Sequence, residues 1–294
     1  MKYVLGILVR RPRKTSLHPR SRLKRKHTTV IAFFLAILGA ASVLLFIGTY
    51  DTDLLFILAV APSSYLLWHF YHADKYKHES LRLLFGTFAI GAAMSSLAWA
   101  IESGYSQPSL GSGILFSFLY FLLGVGLVEE ITKYLSVVVY AYSSIHFDEP
   151  MDGIILGVAA SLGFATVENI FYVFAGGVET ALIRAIVSVP GHAFWGAIMG
   201  FYLGEAKVRR RSVLAIQGLA TVVLLHGISD TALAILPDLV GIATLAAFVW
   251  LIYYKVVRNE IRKAEAESPY KEPRKRKRIR SSLRTRYSKQ QETC

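Results

Sequence analysis

The sequence predicts an all-α membrane protein, a polytopic bundle of about eight transmembrane helices with both termini in the cytoplasm. Three observations carry this reading. Hydrophobic residues make up 54% of the 294 positions and the mean hydropathy is +0.44, above the roughly 45–50% apolar content of soluble domains. The apolar residues come in blocks of about 20, the length needed to cross about 30 Å of hydrocarbon. Charge lies outside the blocks: of 33 Lys and Arg, ten fall in residues 1–26 and fourteen from Lys255 onward, so the net charge of +13 describes tails and loops.

Taken in order, the predicted spans are 28–50, 53–71, 81–101, 113–142, 152–175, 181–205, 212–236 and 239–257. The first follows a basic arm, residues 1–27, and exceeds the roughly 7–15 apolar residues of a signal peptide, so it reads as an anchor helix rather than a cleaved leader. The fourth is long enough to tilt or protrude. With the N-terminus inside, the inner segments are 1–27, 72–80, 143–151, 206–211 and 258–294. The outer segments, 51–52, 102–112, 176–180 and 237–238, contain no Lys or Arg. That asymmetry is the positive-inside pattern of a multi-pass protein of the cell membrane. The spans and their short loops form one membrane domain, 28–257. Gly, Ala and Ser recur in it, as in Gly153-Ile-Ile-Leu-Gly157, which lets helices approach closely. The segment 258–294 reads as a basic, disordered cytoplasmic tail attracted to anionic lipid at about 1 kcal/mol per basic residue near the surface. No aromatic interleaving or recognition module accompanies it, so no nucleic-acid partner is expected.

Four clusters of ionisable residues interrupt the apolar blocks: Glu129-Glu130-x-x-Lys133, Phe164-x-x-x-Glu168, His192 and His226-x-x-x-Asp230. A charge at the bilayer centre costs about 2.5–3.5 kcal/mol on insertion scales, so such groups must pair or surround a polar cavity. At about 1.5 Å per residue, Glu129, Glu168, His192 and His226 lie about 20, 24, 20 and 21 Å from the cytoplasmic ends of their spans. Four separate helices thus bring polar groups to one level. Residues four apart share a helix face, so His226 and Asp230 point the same way, and Lys133 can pair with Glu129 or Glu130. Fully ionised, the four carboxylates and Lys133 leave a net −3, which low dielectric does not tolerate. Either carboxylates hold protons or a divalent cation occupies the site. Two histidines and a carboxylate with an open water position form a catalytic zinc arrangement. In that case a glutamate serves as general base; without metal, a glutamate activates water directly.

These four motifs, in this order on successive spans, resemble the PrsW family of intramembrane proteases, and more distantly the CAAX-processing and bacteriocin-immunity protease superfamily. The resemblance covers about residues 113–236. It implies an intramembrane peptidase acting on a membrane-anchored protein substrate, in regulatory proteolysis of the anti-sigma-factor kind. It also implies Glu129 and Glu130 as the catalytic pair, with Lys133 holding one of them ionised, and Glu168, His192, His226 and Asp230 as ligands of a divalent metal, zinc first, or as polarising groups. The sole cysteine, Cys294, excludes a thiol nucleophile. The sequence lacks an H-E-x-x-H zinc motif, a G-x-G-D aspartyl motif and a G-x-S-G serine motif in its spans. The rival class is an ion-coupled transporter using the same buried carboxylates and histidines as a proton relay; the first three spans show no second copy of the pattern, as an inverted repeat would require. Phe164 reads as packing, Asn169 as a neighbour of undetermined direction, and Arg184 as a span-end residue that snorkels.

Overall fold

The computed structural model describes residues 50–105, 113–236 and 238–271. The predicted span 28–50, the basic arm before it and most of the C-terminal tail lie outside the described residues. Those described are helical, with no strand among them. Helix α1 is Tyr50–Ala73, α2 is Leu81–Glu102, and α3 runs over Ile114–Tyr140 with a π-helical stretch, Tyr120–Gly126, in its middle. Then come α4 (Pro150–Ile186), α5 (Ser188–Arg209), α6 (Ser212–Ile235) and α7 (Leu239–Glu267), the last with a π-helical stretch at Tyr253–Val257.

Among the described residues six helical stretches are long and apolar enough to cross a membrane, and one of them, Pro150–Arg209, has 60 residues. At 1.5 Å per residue that stretch would measure about 90 Å, three bilayer cores; it doubles back instead. Gly177 takes φ +71°, which a glycine adopts without strain, and Val187 departs from helix before Ser188. The sequence places this break at 176–180 and starts the next span at 181. Helix instead resumes after Gly177 and persists to Ile186, so α5 starts seven residues later than predicted.

The α4–α5 pair is the centre of the bundle: 78% of its most apolar window is buried, against 17–39% in the other five stretches. Small residues make this possible. A Cβ on Gly157 would lie 2.2 Å from the Gly196 carbonyl oxygen, and one on Gly200 would lie 2.1 Å from that of Gly153. The two backbones therefore touch, as the spacing Gly153-x-x-x-Gly157 predicts. On its other side α4 packs on α2, where a Cβ on Gly91 would meet the Ala160 carbonyl at 2.1 Å.

The loops gather at two ends. At one end, Lys77 donates to Asp148 (2.7 Å), Asp152 (2.8 Å) and the His146 carbonyl (2.5 Å), tying the α1–α2 loop to the start of α4. Asp152 also accepts the backbone N–H groups of Asp148 (2.9 Å) and Glu149 (3.1 Å), closing the first turn of α4 behind Pro150 at a position where Pro costs no hydrogen bond. The extension of α7 returns to the same end: Lys75 pairs with Glu265 at 2.8 Å, Arg209 with Glu267 at 2.9 Å, and the Tyr270 hydroxyl donates to Asp148. The basic loops thus share one end, as the charge pattern requires. At this end burial, reinforced by the Asp152 carboxylate, pushes the Glu79 carboxyl up to about 8, and burial raises Glu149 to about 7.

Two predictions follow from this packing. Gly157→Leu forces side-chain atoms into the α5 backbone, an overpacking cost of about 1–3 kcal/mol or more. The detergent-purified variant is expected to unfold at a lower temperature and lose its monodisperse gel-filtration peak; an unchanged midpoint would contradict the described contact. The second concerns pH. A carboxyl whose folded pKa exceeds its unfolded one stabilises the fold while it holds its proton. For Glu79 that contribution is full below the ordinary value of 4.5 and is lost as pH rises through about 8. Thermal midpoints measured from about pH 5 to about pH 9 should fall with pH, and Glu79→Gln should flatten part of that slope.

Candidate active site within the membrane

The four polar clusters converge. Lys133, fully buried on α3, donates from Nζ to Glu129 Oε2 at 2.8 Å, Glu130 Oε1 at 2.8 Å and His192 Nδ1 at 2.9 Å. The sequence offered one partner or the other; the ammonium takes both glutamates and adds a histidine from α5. Phe164 on α4 lies under it, with Nζ 4.4 Å from the ring centroid, so the residue read as packing also gives a cation–π contact.

An ammonium only donates, so His192 Nδ1 accepts and its Nε2 carries the proton. That Nε2 faces Glu168 Oε2 at 3.0 Å. His226 on α6 is turned the other way. Its Nδ1 donates to Glu130 Oε1 at 2.8 Å, leaving Nε2 3.2 Å from Asp230 Oδ2 and 3.7 Å from Glu129 Oε2. The two rings stand nearly perpendicular, with centroids 5.5 Å apart. The predicted i, i+4 pairing of His226 with Asp230 is therefore present, and all seven predicted site residues fall in one connected network.

Local backbone features set these distances. The π-helical stretch of α3 ends at Gly126, three residues before Glu129; such stretches often mark functional sites. A Cβ on Gly126 would sit 3.3 Å from the Val223 carbonyl, and one on Gly227 would sit 2.8 Å from the Leu122 Cα. The α3 and α6 backbones thus approach closely next to His226. Helix α5 begins only four residues before His192, so the break after Ile186 places that imidazole near a helix start.

Arg184 is the residue the sequence reading missed. It does not snorkel: Nη2 reaches Glu168 Oε2 at 3.2 Å and Nε reaches Asn169 Oδ1 at 2.7 Å. Asn169 in turn donates to the Ala59 carbonyl of α1 at 2.6 Å. Counting Arg184 changes the charge of the site from −3 to −2. The available signal was an arginine in a stretch otherwise free of charge except for Glu179; the helical segment after Gly177, which brings it back to Glu168, could not be read.

A cavity of about 450 Å³ opens onto this network. Glu129, Glu168, His192, His226 and Asp230 line it, together with Arg184 and Glu102. Lys133 and Glu130 lie behind that wall.

The donor set fits a divalent metal. Two groups, Glu129–Glu168–His192 and Glu129–Glu130–His226, each offer three ligand atoms within 4.8 Å of one another, against about 3.4 Å between donors in a tetrahedral zinc shell. One oxygen of the fully buried Glu130, Oε2, has no hydrogen-bond partner among the described residues. His226 shares one feature of metal-binding imidazoles, an Nδ1–H held by a carboxylate, while its Nε2, 3.2 Å from Asp230, could ligate by giving up the proton directed at that carboxylate. His192 could ligate only by giving up its Nε2 proton or its bond to Lys133. Glu129 belongs to both groups, although its sequence pattern marked it as base rather than ligand.

Residues 79–257 match the PrsW family, described as an intramembrane metalloprotease. The chain belongs to the PrsW family. It is 38% identical to Protease PrsW of Halalkalibacterium halodurans over 183 residues, 60% of this chain and 81% of that protein. Against Protease PrsW of Bacillus subtilis the identity is 37% over 182 residues, 61% and 82% of the two chains, and against that of Clostridioides difficile it is 32% over 190 residues, 62% and 79%. No solved structure matches the chain. The chain is a multi-pass membrane protein and an intramembrane peptidase of the PrsW family, and the family description supports a divalent metal at the site.

Metal analysis of the purified protein by atomic emission tests this fit. Wild type is expected to carry about one divalent ion per chain, lost in the His192→Ala/His226→Ala double variant. A catalytically active preparation without metal would instead favour water activation by glutamate alone.

Proposed function

We propose that this chain cleaves a peptide bond of a membrane-anchored protein substrate, in regulatory proteolysis of the anti-sigma-factor kind, with Glu129 as the group that activates water. The observation that carries this reading is the position of Glu129. Its Oε2 is held by Lys133 at 2.8 Å, faces His226 Nε2 at 3.7 Å and borders the cavity. Glu130 is enclosed behind it, with Oε1 shared between Lys133 and His226. The base is therefore Glu129, and Glu130 positions His226.

In the proposed reaction Glu129 takes a proton from water as the oxygen attacks the substrate carbonyl carbon. The charge that develops on the carbonyl oxygen is stabilised by the Nε2–H of His226, turned from Asp230, and more weakly by that of His192, which Glu168 shares. The carbon–nitrogen bond then breaks, and the proton held on Glu129 passes to the leaving amine. Between turnovers Lys133 holds the Glu129 side chain through the 2.8 Å contact from Nζ. Glu168, fixed by Arg184, holds His192 through its Nε2–H, and Asp230 stands beside His226. A divalent ion, zinc by the donor chemistry, would be held by His226 and Glu129 with Glu168 and His192, and when bound would polarise the carbonyl and acidify water. The full span count of eight, with both termini cytoplasmic, and kinship to the CAAX-processing and bacteriocin-immunity superfamily belong to this proposal too. The basic end that holds Lys75, Lys77, Lys207 and Arg209 is its cytoplasmic face.

Removing a positioned general base costs about 10²–10⁴ in rate. Glu129→Gln and His226→Ala are each expected to abolish cleavage of a membrane-anchored reporter, followed by immunoblot, at undiminished membrane expression. Full activity in both variants would sink the assignment.

A further inference from the structure

Glu102 is an ionisable residue of the cavity that the proposed chemistry leaves unused. It ends α2, at the end of the bundle opposite Lys77, and shares the cavity wall with Glu129, Glu168 and Asp230. Its Oε1 is buried without a hydrogen-bond partner, and no cation pairs with it among the described residues. A buried carboxyl with no cation beside it holds its proton instead of a charge, and an arriving cationic side chain would let it ionise. A helix C-terminus carries partial negative charge and disfavours a carboxylate, and Arg184, the only arginine lining the cavity among the described residues, is already committed to Glu168 and Asn169. The neighbours of Glu102 are the surfaces of a binding cleft: Trp99, Tyr105 and Tyr120 line the same cavity, the first two well exposed. Aromatic residues of this kind sit at the level of lipid headgroups, where a basic side chain flanking a membrane span also ends.

We infer that Glu102 is a specificity-determining residue, which receives an arginine or lysine side chain of the substrate polypeptide at the membrane-surface end of the cavity and so sets the position of the peptide bond offered to Glu129. The inference rests on the peptidase reading for its substrate class, but its physical content is binding: a carboxyl without a cation among the described residues, in a partly enclosed cavity, pairs with a cationic side chain and not with its neutral isostere.

The test therefore measures binding without turnover. Trp99 and Trp195 line the cavity, so tryptophan fluorescence of the purified full chain reports its occupancy. The probes are acetyl-Leu-Arg-Leu-amide and the same peptide with citrulline, which replaces the guanidinium by a neutral urea of the same shape. Wild type is expected to bind the arginine peptide about tenfold more tightly, a difference of about 1.4 kcal/mol. Glu102→Gln should reduce that ratio to within about twofold, and Glu102→Arg should reverse it for a peptide carrying glutamate at the same position. A purely structural role for Glu102 would not produce the reversal. Equal binding of both peptides to wild type, undetectable binding of either, or a preference that survives Glu102→Gln would overturn the inference. Failure of the peptidase reading is distinct, because it shows in reporter cleavage by the Glu129 and His226 variants and not in this ratio.

Discussion

The buried ammonium of Lys133 is the interaction on which the rest of the site depends. A charge taken out of water costs several kcal/mol even after relaxation, and Lys133 recovers that cost only because three acceptors meet it at 2.8–2.9 Å. Two of them come from its own helix, through i+3 and i+4 spacing, and the third from α5. The same acceptors then recruit other helices: Glu130 holds His226 of α6, and His192 holds Glu168 of α4. No member can be removed without leaving another uncompensated in low dielectric. The network therefore fixes the mutual rotation of four helices as well as the chemistry at their centre.

That network could not close if the helices were spaced by ordinary side chains. Four glycines, Gly153, Gly157, Gly196 and Gly200, bring the α4 and α5 backbones into contact, and Gly126 and Gly227 bring α3 to α6. In lipid, helix association gains little from the hydrophobic effect and relies on such close packing. The packing of the bundle and the closure of the polar network thus use the same device. The glycine contacts that hold the bundle together also set the reach of the imidazoles.

Much of the site was legible because it is built from local spacing. Glu129, Glu130 and Lys133 on one helix, His226 and Asp230 four apart, and the common depth of four clusters all follow from a rise of 1.5 Å and 3.6 residues per turn. The basic loops were legible because topology is written in Lys and Arg counts. What failed depends on tertiary context. The break at Gly177 reads from the sequence as a loop between spans, yet only one residue leaves the helical region, and α4 continues to Ile186. That continuation brings Arg184 to Glu168 across 16 positions. The π-helical stretch before Glu129 has no sequence signature of its own. The Lys133–His192 contact could be anticipated as proximity, not as a bond, because a ring's rotation and tautomer are set by what its other nitrogen meets.

The charge count ties these observations together. Fully ionised, Glu129, Glu130, Glu168 and Asp230 oppose Lys133 and Arg184, leaving −2 at the centre of an apolar bundle, and Glu102 adds a further carboxyl toward the mouth of the cavity. A divalent ion held by His226 and Glu129 would neutralise the centre; two shared protons would do the same without it. The two histidines are not equivalent in this choice. His226 meets a carboxylate at each ring nitrogen, Glu130 at Nδ1 and Asp230 at Nε2, whereas His192 spends its lone pair on Lys133 and its proton on Glu168. A metal on His226 would displace the proton directed at Asp230 and leave the bond to Glu130 in place, but engaging His192 as well requires its Nε2 proton to leave by way of Glu168, the carboxylate already paired with Arg184. That proton transfer and the Arg184–Glu168 ion pair are opposed, which makes the arginine the sequence reading passed over a determinant of how the site meets its need for positive charge.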